Sequence, residues 1–163
     1  MQAFDPAAFR RALGRFATGV TIVTTVDKAG KRYGVTANSY NSVSLDPPLV
    51  LWSLAKSARS LAAYQASKCF AIHVLSAHQQ VLAMTFAGSG EQDKFAGLNV
   101  RVGHGGVPLL GECAAHFECE TAANFDGGDH IIMLGRVIHF ERCDSEPLLF
   151  HDGRFARIQQ EFA

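Results

Sequence analysis

The chain has 163 residues, 48% of them apolar, with 15 basic and 15 acidic side chains and a formal net charge of zero. That length suits one domain, spanning 1–163, with a real core, and the apolar share excludes disorder. With no Lys/Arg cluster, nucleic acid and anionic membranes are excluded as main partners. No apolar run approaches the roughly 20 residues of a membrane span, so no membrane association is expected. The opening stretch, "MQAFDPAAFRRALGRF", lacks the layout of an export signal, so a cytoplasmic location is expected. Cys69, Cys113, Cys119 and Cys143 show no C-x-x-C spacing, which favours reduced, mostly packed thiols.

Asp5 and Pro6 suit the cap and first position of a helix, and Phe9, Leu13 and Phe16 form one apolar stripe along it until Gly19 ends it. "VTIVTTV" (20–26) is β-branched and reads as a strand, and "DKAGK" as a turn. "RYGVTANSY" and "NSVSL" read as strand pieces with a polar face. "DPP" breaks the run, because a residue before proline is pushed to extended geometry. "LVLWSL" (49–54) is a more buried strand, and 57–66 a short helix capped by Ser57. "CFAIHVL" (69–75) is a strand. Ser76 and Gln79 form a capping-box pattern for a helix to about Phe86.

"AGSGEQDKFAGL" is a long polar loop of the kind that often carries function. "CAAHFECETAANF" and "HIIMLGRVIHFERC" are long strands joined by a turn at "DGGD". If the first is one strand from its start, Cys113 and Cys119 share a face. "PLLF" is a last short strand and "DGRF" a turn. Many strands with single inserted helices favour a mainly β protein, an antiparallel barrel with helical decorations.

Nucleophile-elbow, P-loop, zinc-protease and Rossmann glycine motifs are all missing. His73 and His78 straddle a strand end and a helix start, a poor ligand geometry. His116 and His139 fall inside strand patterns, so no metal centre is expected. His130 differs, because it follows a glycine turn that fixes its backbone and could face a cleft.

The polar stretch 36–60 is the better signal. Thr36, Asn38, Ser39, Ser42 and Ser44 suit the rim of a planar heterocycle. Ser53, Ser57 and Ser60 surround Lys56 and Arg59 near a helix start. That combination makes either an anion site, typically for phosphate, or a solvated loop with an ordinary cap. "DKF" (93–95) adds a cation and an aromatic.

Seven stretches occur in an order that resembles the flavin reductase-like domain: "FRRALGRFATGVTIVTT", "GVTANSYNSVSLDPPLVLWSL", "FAIHVLSAHQQVLAMTFA", "DKFAGL", "GVPLL", "GDHIIMLGRV" and "PLLFHDGRF". These are short-chain NAD(P)H:flavin reductases, the small components of two-component flavin monooxygenases. Tyr40 stands where the family usually has Phe. The resemblance implies a split β-barrel of the FMN-binding type, usually a homodimer. Thr36, Ala37, Asn38 and Ser39 would line the isoalloxazine of FMN or FAD. Ser53, Leu54, Ser57 and Ser60 would hold the ribityl chain and phosphate. Phe86, Lys94 and Phe95 would close over the flavin, and His130 would position the nicotinamide of NADH or NADPH without acid–base chemistry. Reduced flavin would pass to a partner oxygenase. The rival reading is a non-enzymatic flavin-binding or electron-carrier protein on the same fold, lacking NAD(P)H turnover.

Overall fold

A computed structural model describes residues 5–90 and 93–159. Helix α1 (Pro6–Leu13) begins as its sequence demands, with the Asp5 carboxylate accepting the Ala7 and Ala8 amides at 3.0 and 3.3 Å. It stops at Gly14, whose amide returns to Arg10 O at 3.0 Å, rather than running on to Gly19. The stripe of Phe9, Leu13 and Phe16 lies on the surface of the chain instead of packing inward.

Strand β1 (Thr18–Gly19) leads into β2 (Thr21–Val26), which is buried along almost its whole length. Buried hydroxyls need partners. Thr21 Oγ1 donates to Ala37 O at 2.6 Å, Thr24 Oγ1 to Pro108 O at 2.6 Å and Thr25 Oγ1 to Cys69 O at 2.8 Å. A threonine-rich strand can therefore be central. Asp27 then accepts the Ala29 and Lys31 amides and turns the chain into β3 (Arg32–Ala37).

β4 (Asn41–Leu45) and β5 (Pro48–Ala55) follow as a hairpin. Helix α2 (Leu61–Ala66) is shorter than expected and is capped at Ser60, without a side-chain bond. Ser57 therefore lies in the turn before the helix and does not cap it. β6 (Cys69–Val74) precedes α3 (Gln80–Ala87). One arm of the expected capping box forms, with Gln79 Oε1 accepting the Ser76 amide at 2.9 Å. The Ser76 hydroxyl instead donates to Glu112 O at 2.6 Å.

A small hairpin absent from the sequence reading, β7 (Val100–Val102) with β8 (Pro108–Leu110), comes next. The long hairpin β9 (Ala115–Gly127) and β10 (His130–Arg142) turns at Gly128, which has φ +82°. Cys113 precedes β9, and the two buried cysteines sit in different apolar clusters instead of sharing a strand face. Last come β11 (Leu149–His151) and β12 (Arg154–Ala156), paired across "DG", with β11 also on β1.

The main sheet is antiparallel throughout, in the order β3-β2-β6-β9-β10-β5-β4. Its two edge strands, β3 and β4, are consecutive in the chain and joined by residues 38–40 alone. A flat sheet of that size would place its edges about 29 Å apart. Three linking residues reach about 15 Å at most. The sheet is therefore curled until its edges meet at this link, although no strand ladder closes it. Ser39 fastens the link, because its Oγ donates to Ser53 O at 3.1 Å and accepts the Ser53 amide at 2.9 Å.

One apolar cluster includes Val23, Trp52, Phe70, Ile72 and Met133, with Trp52 edge-on to Tyr64 and Phe70. A second, between sheet, α3 and the C-terminal hairpin, contains Ile22, Leu75, Phe86, Phe95 and Leu148. Gly34 allows α3 its position, since a Cβ there would lie 2.3 Å from Phe86 Cε1.

Candidate functional site

The end of β3 meets α3 and the β11–β12 hairpin around a cleft of about 680 Å³. Thr36, Ala37 and Asn38 line one side, Gln80, Ala83, Met84 and Ala87 another, and Phe150, Gly153, Arg154 and Phe155 a third. The Thr36 hydroxyl donates to Ala83 O at 2.7 Å, locking strand to helix. The Phe150 and Phe155 rings meet edge to face, 5.7 Å apart, and form an apolar wall.

The hydrogen bonds between Ser39 and Ser53 tie the chain after Asn38 to the end of β5. Ala58 N returns to Ala55 O at 2.9 Å, so the chain turns at Lys56–Ser57 before α2. Arg59 Nη1 donates to Ser89 O at 3.3 Å and draws the turn toward the end of α3. The polar stretch found in the sequence is therefore a single run of chain, of which Thr36, Ala37 and Asn38 line the cleft. The chain then continues through β4 and β5 to the turn at Ser57 and Ser60. Among the described residues, the side chains of Asn38, Ser57 and Ser60 have no hydrogen-bond partner in the protein.

Several expected roles change in this geometry. Phe86 and Phe95 are buried, 5.0 Å apart edge to face, and form the floor under β3 rather than a cover. Their apolar bulk is better satisfied in the core than on a polar loop. Lys94 is tied down as well, donating to Phe86 O at 3.0 Å, and its partial burial lowers its pKa. Leu54 points into the core because β5 alternates and Val50, Trp52 and Leu54 share the inner face. Only its backbone can meet a ligand. The α2 start offers no capped helix terminus at Ser57, so the anion reading rests on hydroxyls and cations.

The cations are partly engaged. Lys56 Nζ binds Asp126 Oδ2 at 2.6 Å, which lowers the Asp126 pKa, and the Lys56 amide donates to Asp129 O at 2.8 Å. His130 pairs across the sheet with Ala55 and so stands beside this turn. Its Nδ1 lies 2.7 Å from Asp129 Oδ1, and that bond to His130 holds the Asp129 carboxyl below its usual range. The ring is half-exposed at the hairpin tip, held against the Asp129 carboxylate, and is not among the residues lining this cleft.

Sequence reasoning missed the contributions of α3 and β12, with Arg154 as the charged side chain of the cleft wall. The signal was "DGRF": a glycine turn after Phe150 places Phe155 directly opposite it in the ladder.

A family model, the flavin reductase like domain, matches residues 13–159. The chain belongs to this family. It is 50% identical over 154 residues to a probable flavin reductase of Rhizobium meliloti, covering 94% of this chain but only 49% of that protein. It is 46% identical to the FMN reductase (NADH) SmoA of Agrobacterium fabrum, over 94% of this chain and 87% of the relative. It is 41% identical to HsaB of Rhodococcus jostii, the reductase subunit of a flavin-dependent monooxygenase, over 98% and 82% of the two chains. Among solved structures, the Streptomyces globisporus NADH:FAD oxidoreductase SgcE6, in complex with NAD and FAD fragments, superposes with a TM-score of 0.90 at 39% identity, covering 99% of both chains.

Proposed function

We propose that this chain is an NAD(P)H:flavin oxidoreductase that reduces FMN or FAD and supplies the reduced flavin to a partner oxygenase. The observation that carries this reading is the cleft between β3, α3 and the β11–β12 hairpin. From Asn38 on its wall the chain continues through Ser39, tied to Ser53, and then through β4 and β5 to a turn of unengaged hydroxyls at Ser57 and Ser60.

The residues present fit a flavin. A planar ring suits the cleft between the Thr36–Asn38 backbone and the Phe150/Phe155 wall, where aromatic and small apolar groups exclude water. The Asn38 amide offers donors and an acceptor to polar ring edges. Ser53, Ser57 and Ser60 suit the ribityl chain and phosphate, with Arg59 as nearby charge. A flavin held by these residues would supply the hydride-accepting chemistry toward a nicotinamide nucleotide, and the protein would supply its orientation. This chain's part is orientation, exclusion of water, and hydrogen-bond donors beside the ring that gains charge. His130 acts beside the turn at Ser57, where it steers the nicotinamide nucleotide and moves no proton. Phe86, Phe95 and Lys94 act from below, keeping β3 and α3 in place.

The same reading takes the curled sheet as a split β-barrel and the chain as one domain, since β2 contributes to both apolar clusters. It also takes the protein as a cytoplasmic homodimer, in keeping with the exposed side chains of Leu45, Phe125 and Phe140. Among the described residues, no helix is long and apolar enough to cross a membrane.

Steady-state oxidation of NADH and NADPH, each with FMN, FAD and riboflavin, tests the proposal. Turnover with at least one pair is expected. A chain that binds flavin but leaves both nicotinamides unoxidised is the electron-carrier alternative, and the proposal fails.

A further inference from the structure

The open end of the β9–β10 hairpin, opposite the turn that carries His130, holds a second group of chemistry-bearing side chains. Strand register puts them together. Val137 faces Cys119, but the next pair is His139 with Glu118, which leaves Ile138 as an extra residue in β10. A bulge of this kind moves every later side chain to the other face relative to the partner strand. Without it, His139 would oppose Phe117, on the face where Phe117 stacks with Tyr40 and Phe140. With it, His139 opposes Glu118 and Glu141 opposes His116, and the four emerge together.

One donor atom each from His116, His139 and Glu141 lie within 4.8 Å of one another. His139 Nε2 is 3.5 Å from Glu141 Oε1, and His116 Nδ1 is 3.8 Å from Glu141 Oε2. His116 is only 5% exposed, yet its Nε2 is buried without a hydrogen bond. A buried polar atom left unpaired calls for a cause. That nitrogen faces Glu118 Oε1 at 3.9 Å, while the other Glu118 oxygen accepts the His104 amide. Arg101 Nη2 donates to Glu141 Oε2 at 3.0 Å and leaves Oε1 toward His139.

We propose that His116, His139 and Glu141 form a binding site for a divalent transition metal of the zinc class, with Glu118 and Arg101 orienting two of the ligands. Two imidazoles and one carboxylate suit zinc, cobalt or nickel rather than calcium or magnesium. Donors around tetrahedral zinc lie about 3.4 Å apart, so small side-chain rotations gather this set. Binding through His116 Nδ1 turns Nε2–H onto Glu118, the carboxylate–imidazole–metal relay that fixes a ligand's tautomer, and it gives the orphaned nitrogen its partner. His139 and Glu141 are half-exposed, which leaves the metal a path in and a fourth position for water. The site does not depend on the reductase reading, and it replaces the expectation that no metal centre exists.

The full chain, stripped with EDTA, is titrated with Co²⁺ and followed by visible d–d absorption, then back-titrated with Zn²⁺. A single equivalent with micromolar or tighter affinity, displaced by Zn²⁺, is expected. His139→Ala and Glu141→Gln should each weaken binding at least about tenfold with unchanged far-UV circular dichroism. Cys143→Ser, which removes the exposed thiol, should leave binding intact. Lack of Co²⁺ bands and of Zn²⁺ heat at millimolar metal overturns the site. So does unchanged affinity in His139→Ala and Glu141→Gln, or loss of binding in Cys143→Ser.

Discussion

Ser57 and His130 stand close together at the end of β5, but their surroundings divide their tasks. Ser57 has a free hydroxyl in the turn, so Ser57→Ala should weaken flavin and spare the nicotinamide. One hydrogen bond is worth about 0.5–1.5 kcal/mol, roughly a two- to twelve-fold rise in flavin Kd, read by fluorescence quenching. His130→Ala should do the reverse, lowering kcat/KM for NAD(P)H by a similar factor at unchanged flavin Kd, read by stopped flow. Loss of flavin binding in His130→Ala with intact nicotinamide kinetics would defeat this division. His73 belongs to stability instead. Its Nε2 accepts the Leu110 amide at 3.1 Å, so the proton sits on Nδ1, which donates to Ile22 O at 3.0 Å. Burial lowers its pKa to about 3. Between that value and the unfolded value near 6.5, the unfolded chain binds the extra proton, so stability falls as pH falls. The contribution is full above about 6.5 and declines by roughly 1.4 kcal/mol per pH unit below it. Urea midpoints at pH 7 and pH 5 measure this, and His73→Leu should lower stability at pH 7 while flattening the slope.

At the scale of elements, Gly34 is the contact that lets α3 rest on β3. Gly34→Ala forces its Cβ against Phe86 and, at 3.2 Å, against Phe95 Cζ. Overpacking of this kind costs about 1–3 kcal/mol. The helix should move off Thr36, so flavin affinity should fall together with the denaturation midpoint. A variant with a lowered midpoint but normal flavin affinity would separate α3 from the site. Local chemistry made most elements legible: the Asp5 cap, the β-branched run of β2, the alternation of β5 and the glycine turn before His130. What escaped the sequence was set by partners far along the chain. Ser57 reads as a cap, but α2 starts at Leu61 and is tied to β2 through Tyr64 OH, which donates to Val23 O at 2.6 Å. The resemblance implies a cover at Phe86 and Phe95, but Gly34 leaves room for both rings beneath β3 and they are buried there. Arg154 and Phe155 join the cleft through pairing with β11, and the bulge at Ile138 leaves no mark in composition.

For the whole molecule, a ligand held only by the folded state raises stability by mass action. Saturating FMN or FAD should raise the melting temperature. No shift with FMN, FAD or riboflavin would remove the cleft assignment. Light scattering should give a dimer mass with flavin bound, and a monomer across micromolar concentrations would count against the homodimer.

The link at residues 38–40 has a dynamic consequence. It is at once the seam where the curled sheet's edges meet and the wall a flavin would touch. Opening the seam and releasing the ligand then become one event, and occupancy should act as a latch on the two edge strands. Amide hydrogen exchange should show this directly. Flavin should slow exchange in β3 and β4, the strands with one unpaired side, while β6 and β9 at the sheet's centre exchange at the same rate with or without it. Uniform slowing across the sheet would mean that the seam opens only when the whole molecule unfolds.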